Sequence, residues 1–252
     1  MKWRYLLDDA ASGAWNMAVD EALLESLAAA LGSAPVLRFY DWQPACLSLG
    51  RFQSFESVLE SSALLQRLTE ARESTAEFGW VRRPTGGRAV WHQHEITYSA
   101  VIREDALPPD ARSVAGAYRW LSSAFVAGLA TLGVQAELAP AESREQRAEA
   151  QKAQNCFASA TRCDFVVGQR KLIGAAQCRR NGAILQHGSI LLDADRDAWQ
   201  GAIGGAFPAI QTLKALGVGQ SRGDIIDALA RGVEQTLGVA LAPDGLTESE
   251  NT

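Results

Sequence analysis

Between Asp164 and Leu192 the chain holds three apolar, β-prone runs, Asp164–Val167, Lys171–Cys178 and Ala183–Leu192, with only two short breaks between them. The first break, Gly168-Gln169-Arg170, is tight enough for a hairpin. The second, Arg179-Arg180-Asn181-Gly182, carries Asn-Gly, the pair that tolerates the positive φ angles of a two-residue hairpin turn. Three successive antiparallel strands commit this part of the chain to a sheet. A sheet with so much apolar surface must be covered, and the remaining sequence supplies helices to cover it.

An Ala/Leu-rich pattern from about Met17 to Leu31 repeats apolar residues at three- and four-residue spacing and stops at Gly32. A second helix is expected over Ala111–Gly133, with Val114, Tyr118, Leu121, Phe125, Gly128 and Leu132 in its stripe and Asp110 or Ser113 as cap. A third fits Asp224–Leu237, ended by Gly238, and residues 55–72 also read as helical. Lys2–Asp8 reads as a short edge strand. Val36–Tyr40 and Ala45–Leu49 read as a strand–turn–strand around Asp41-Trp42-Gln43-Pro44, and Trp80–Arg83 and Glu95–Ile102 as strands bracketing a glycine turn. Ala141–Gln154 has no apolar face and is expected to be a mobile loop rather than a solvated helix. With no repeat and no linker, the expected architecture is α/β, an α+β mixed sheet flanked by helices: one catalytic domain over 1–240 and a flexible acidic tail over 241–252.

Composition excludes several classes of function. The net charge of −5 and scattered basic residues argue against a broad nucleic-acid footprint, although a local basic pocket for an anion is compatible with them. No apolar run is long enough to span a bilayer, and the N-terminus turns acidic at Asp8-Asp9 before a signal-peptide core develops, so a cytoplasmic protein without membrane partners is expected. The cysteines, Cys46, Cys156, Cys163 and Cys178, form no CxxC pair, and with three histidines they make no zinc site; no metal is expected. By default each is a small buried hydrophobe.

Two segments are dense in chemistry. In Arg82-Arg83-Pro84-Thr85-Gly86-Gly87-Arg88-Ala89-Val90-Trp91-His92 adjacent glycines let backbone N–H groups approach a ligand, and flanking arginines supply positive charge. Such a turn suits a carboxylate, a phosphate or a pantetheine thioester, and it matches neither the phosphate-loop nor the dinucleotide pattern. The second segment runs Gly168-Gln169-Arg170-Lys171-Leu172-Ile173-Gly174-Ala175-Ala176-Gln177 and continues in Leu185-Gln186-His187-Gly188-Ser189. Lys171 opens an apolar strand, Gly174, Ala175 and Ala176 leave room for a ligand across the sheet, and His187 before Gly188 suits a polar wall. His92 and His94 fit surface positions as well as a site wall. Trp3, Trp15 and Trp42 suit core or partner contacts better than catalysis.

Taken together, RRPTGGRAVWH, EITYS, the Cys156-Phe157 pair, GQRKLIGAAQ, LQHGSILL and the opening GAWNMAVDEALL resemble the biotin/lipoate protein ligase superfamily (lipoate-protein ligase A-like), and within it the octanoyltransferase branch of the LipM type, over roughly residues 1–235. The resemblance implies a mixed sheet flanked by helices and transfer of octanoyl from acyl carrier protein, through a cysteine thioester, to a lysine of a lipoyl domain. Such acceptors include the glycine cleavage H protein and 2-oxoacid dehydrogenase E2. It implies Cys156 as the nucleophile and Lys171 as the carbonyl-contacting lysine. A nearby ammonium would lower the thiol pKa and steady the developing oxyanion. His187 is the candidate acceptor of the incoming lysine's proton. Arg83, Thr85, Gly86, Gly87, Arg88, His92, Gly174, Ala175, Ala176 and Gly188 are the expected substrate-binding residues, and the acyl chain is expected in an apolar tunnel between Gly174–Ala176 and Gly86-Gly87.

No cofactor is expected. The alternative is an ATP-dependent lipoate ligase, which would need ATP and Mg. Arg88, where ligases usually continue the glycine run, disfavours it, as does the short stretch after the last helix, too short for an accessory C-terminal domain. Cys178 is the main rival nucleophile; Cys46 and Cys163 read as structural. The branch with a cysteine shortly before the His-Gly pair is disfavoured, because Gly182-Ala183-Ile184-Leu185 stands there. Transfer between lipoyl domains ranks third and a non-enzymatic binding module last.

Overall fold

In the computed structural model, which describes residues 1–29, 33–70, 78–139 and 164–251, the hairpins signalled by the two turns supply three of the eight strands of the larger sheet. The strands are β1 (Lys2–Ala11), β2 (Val36–Trp42), β3 (Ala45–Leu49), β4 (Phe78–Arg82), β5 (Val90–His92), β6 (Glu95–Arg103), β7 (Glu137–Leu138), β8 (Phe165–Val167), β9 (Arg170–Arg180), β10 (Ala183–Leu191) and β11 (Ala240–Pro243). Eight of them form one mixed sheet in the order β11-β1-β2-β6-β10-β9-β8-β7, and β4-β3-β5 form a second. Asn181 and Gly182 both have positive φ, 49° and 77°, as the turn between β9 and β10 requires.

The helices are α1 (Gly13–Ala29), α2 (Phe55–Ser61), α3 (Ala63–Glu70), α4 (Val114–Thr131), α5 (Arg196–Ile203) and α6 (Arg222–Leu237). Helices α4 and α6 supply Leu121, Phe125, Leu129, Ile225, Leu229 and Val233 to a core shared with Leu37, Phe39, Ile96, Tyr98 and Ile190 of the large sheet. A Cβ on Gly128 would lie 2.8 Å from Leu229 Cα, and one on Gly232 would lie 2.4 Å from the Ala124 carbonyl, so these glycines set how closely the two helices pack. On the opposite sheet face, Val19, Leu23, Leu24 and Leu27 of α1 pack on Leu6, Val36, Val101 and Leu185. The small sheet has its own core with α2, α3 and α5, including Leu47, Leu49, Val58, Leu65, Trp91 and Trp199.

Ser113 caps α4 through a bond from the Gly116 N–H, whereas Asp110 lies in a preceding 3-10 turn. Gly238 ends α6 in the left-handed conformation. Several expectations are corrected. The segment expected as one helix over 55–72 is two helices within its described residues, Phe55–Ser61 and Ala63–Glu70, broken at Ser62. Strand β1 is interior rather than an edge, because β11 pairs with it in parallel from Lys2↔Ala240 to Tyr5↔Pro243. Strands β2 and β3 are both present but belong to different sheets, so the turn at 43–44 carries the chain between sheets. The acidic end does not fray as expected. Arg4 donates to Asp244, to the Gly245 carbonyl and, through two nitrogens, to Glu250 at 2.7 and 2.8 Å. Burial would raise the Glu250 pKa, but the bonds from Arg4 outweigh it and bring it down to about 2. Helix α5 escaped the sequence reading because its eight residues are too few to display a period. The expected mobile loop 141–154 and the helix stop at Gly32 lie outside the described residues.

Candidate active site

The site lies between the two sheets and follows from side-chain alternation. Along β6 the sequence EITYS places Glu95, Thr97 and Ser99 on one face and Ile96 and Tyr98 on the other. The apolar set enters the core under α4, so the polar set faces α1 and the small sheet. Strand β10 repeats the pattern with His187 and Ser189, and its register sets His187 opposite Ser99 and Ala176, and Ser189 opposite Thr97 and Gly174. The small residues of β9 leave an opening over this polar face. A cavity enclosing about 400 Å³ of non-atom space, its open mouth included, is lined by Gly174, Ala175, Ala176, His187, Gly188 and Ser189 of the large sheet. Tyr40, Trp42 and Thr97 of that sheet, Met17 of α1, and Ser48, Arg83, Val90 and His92 from the small-sheet side complete the lining.

Two buried hydrogen-bonded chains meet this cavity. In the first, His187 Nε2 lies 2.6 Å from Thr85 Oγ1, and its Nδ1 lies 2.9 Å from Asp20 Oδ2. Asp20 is held in turn by Arg38 Nη1 at 2.9 Å and by the Tyr40 hydroxyl at 3.0 Å. Arg38, itself fully buried, also binds Asp8, the Asn16 carbonyl and Asn16 Oδ1. Asn16 and Asp20 are four apart on α1, so one helical face presents both to the sheet. Burial would raise the Asp20 pKa, but the hydrogen bond from His187 and the Arg38 charge hold it below the ordinary carboxylate range. Burial pushes His187 below the ordinary imidazole value, with Asp20 opposing. The imidazole is therefore neutral at pH 7, with Nδ1–H donating to Asp20 and Nε2 open to accept from Thr85.

In the second chain, Ser48 Oγ lies 2.7 Å from His92 Nε2, and His92 Nδ1 lies 2.7 Å from Glu95 Oε1. Thr97 and Ser189 also donate to Glu95 Oε1, at 2.5 and 2.8 Å. The Trp42 ring stacks on His92 with centroids 3.9 Å apart and donates its N–H to Thr97. Arg83 donates to the Ser48 carbonyl and hydroxyl and to the Gly86 and Arg88 carbonyls. The arginine thus joins β3 to the glycine turn while lining the cavity.

The expected residues fall into three groups. Arg83, His92, Gly174, Ala175, Ala176, His187 and Gly188 line the cavity, and Thr85 touches it through His187. Of the two ambiguous histidines, His92 is buried in the wall and His94 is exposed. Gly86, Gly87 and Arg88 are not among the described residues that line this cavity. The turn packs against Gly50, where a Cβ would fall 1.9 Å from the Gly87 carbonyl oxygen. Lys171 is also off the lining. It is 1% exposed and paired at 2.8 Å with Asp164, whose other oxygen accepts the Ala175 N–H at 3.3 Å. Cys156 and Cys163 lie outside the described residues. Cys178 sits beyond the cavity with a thiol pKa pushed by burial to about 11, and buried Cys46 is pushed to about 12; neither suits a nucleophile at neutral pH. Sequence reasoning missed Asp20, Ser48, Glu95, Thr97 and Ser189. The polar alternation in EITYS and HGS is a signal that could have found the last three.

With that geometry in place, comparison with known proteins decides the lineage. Residues 12–231 match the lipoyl protein ligase A/B catalytic domain. The chain belongs to that family. Its relatives include the octanoyltransferase LipM of Kyrpidia tusciae, 39% identical over 98% of this chain and 92% of that protein. Among solved structures, T. acidophilum protein Ta0514 with bound lipoic acid superposes with a TM-score of 0.79 at 26% identity, covering 100% of this chain and 92% of that one. Lipoate-protein ligase A bound with ATP does so with a TM-score of 0.78 at 27% identity and the same coverage. The family match, like the mixed sheet flanked by helices, agrees with the sequence reading.

Proposed function

We propose that this family member is an octanoyltransferase of protein lipoylation that carries its acyl group as a thioester on Cys156. The octanoyl group arrives as a thioester of acyl carrier protein and leaves as an amide on a lysine of a lipoyl domain, such as that of the glycine cleavage H protein or 2-oxoacid dehydrogenase E2. The Cys156 thiolate attacks the thioester carbonyl and the carrier thiol departs; the acceptor amine then attacks the new thioester and the Cys156 thiolate departs. Lys171, which stands at the start of the floor strand and is paired with Asp164, is assigned the positive charge that steadies the carbonyl oxygen. His187 accepts the amine proton, with Asp20 fixing its tautomer and Thr85 meeting its Nε2. Arg83, His92 and the Gly174–Ala176 floor with Gly188 hold the acyl end, while Gly86, Gly87 and Arg88 shape the turn that Arg83 grips. The reaction needs no nucleotide and no metal and takes place in the cytoplasm.

The observation that carries this reading is the small-residue floor of the cavity with a histidine oriented by Asp20 at its wall. Purified protein mixed with octanoyl-acyl carrier protein and a lipoyl domain, without nucleotide, is expected to octanoylate the domain lysine. Transfer seen only with ATP and free lipoate would instead make it a ligase.

A further inference from the structure

Phe52 is the most exposed large hydrophobic among the described residues, at 87%. It is nevertheless held on a fixed loop. Arg82 Nη1 donates to the carbonyls of Gly50 and Gln53 at 2.8 and 2.7 Å, and the Arg51 N–H donates to the Thr85 carbonyl at 2.8 Å. Gly50 is seated against Gly87. The loop therefore stands at the rim of the site, joined by one backbone bond to the residue that meets His187. Half-exposed Trp80 shares a strand face with Arg82 and packs at a tilt against Phe55, which opens α2 just beyond the loop, with centroids 4.8 Å apart. The Arg51 guanidinium lies 5.6 Å from the Phe52 ring centroid. Neither Arg51 nor Arg88 has a side-chain hydrogen bond or ion pair among the described residues. In a chain of net charge −5, this loop presents exposed aromatic surface beside the unneutralised Arg51.

We infer that the Gly50–Gln53 loop, with Arg51 and Phe52 at its tip, is the docking surface for the acyl donor, an acidic carrier domain that presents its acyl chain on a phosphorylated arm. The inference rests on the transferase reading above. Charge selects the donor over the acceptor. The donor brings an anionic body and an anionic phosphodiester to Arg51, whereas the acceptor leads with a lysine ammonium that Arg51 would repel. The exposed aromatic supplies the apolar anchor that charge alone does not give.

The test compares two donors, octanoyl-acyl carrier protein and octanoyl-pantetheine, which lacks both the domain and the phosphate. Arg51→Glu and Phe52→Ala are assayed with a saturating lipoyl-domain acceptor. The expected result is a rise of about tenfold or more in KM for the carrier donor, with kcat and the KM for octanoyl-pantetheine within about twofold of the unaltered protein. The Arg51 effect should shrink at high salt, which screens exposed charges. Equal losses with both donors would overturn the proposal, since the loop would then shape the cavity. A rise in acceptor KM alone, or no change in any KM, would overturn it as well. Failure of the unaltered protein to use either donor would instead sink the transferase reading beneath it.

Discussion

At the scale of single residues, the arrangement around His187 makes a kinetic claim. Its Nδ1–H is fixed on Asp20 and its Nε2 faces Thr85, so the ring is set up to accept a proton rather than to carry a charge. Burial lowers its pKa, so the neutral form persists below the ordinary value of about 6.5. The sign follows from this. Activity that depends on neutral His187 holds through the neutral range and falls only as pH drops through the lowered pKa, where protonation also disfavours the folded state. His187→Gln is expected to slow transfer to the acceptor amine by about 10²–10³ and to abolish the acid limb. Acylation of Cys156 should stay within about threefold. Single-turnover measurement of the two half-reactions checks this, and an equal loss in both would reduce His187 to a structural role.

At the scale of elements, the contact between α4 and α6 rests on the absence of side chains. Gly232 has the Ala124 carbonyl 2.4 Å and the Gly128 backbone 2.6 Å from where a Cβ would be. Gly232→Val should force the helices apart and cost about 2–4 kcal/mol, read as a lower denaturation midpoint with the slope unchanged. What the sequence disclosed at this scale followed from periodicity and turn chemistry. The hairpins at Gly168 and Asn181-Gly182, the helix stripe through Tyr118 and Phe125, and the glycine stop at Gly238 are all local signals. Strand β11 and the place of β1 were not legible, because four residues pairing with the N-terminus form a contact across the whole chain. The site was legible in part. His187 and the Gly174–Ala176 floor announce themselves within their own segments. Asp20 reaches His187 only because α1 lies across the sheet, and Ser48 reaches His92 only through the second sheet.

At the scale of the whole molecule, the two sheets bring together groups that the sequence keeps apart. The large sheet contributes the floor, Glu95 and His187, the small sheet contributes Ser48 and His92, and α1 contributes Asp20. The acidic end, which reads as a solvated tail, is instead the counter-charge of Arg4, and no local rule could have paired residues so distant. The account's central claim is covalent transfer through Cys156. It is tested most directly by intact mass after mixing the protein with octanoyl-acyl carrier protein, without ATP, beside a Cys156→Ser control. The account predicts a hydroxylamine-sensitive octanoyl adduct on the unaltered protein alone. An adduct that survives in Cys156→Ser would contradict it, as would no adduct together with transfer once ATP and free lipoate are supplied.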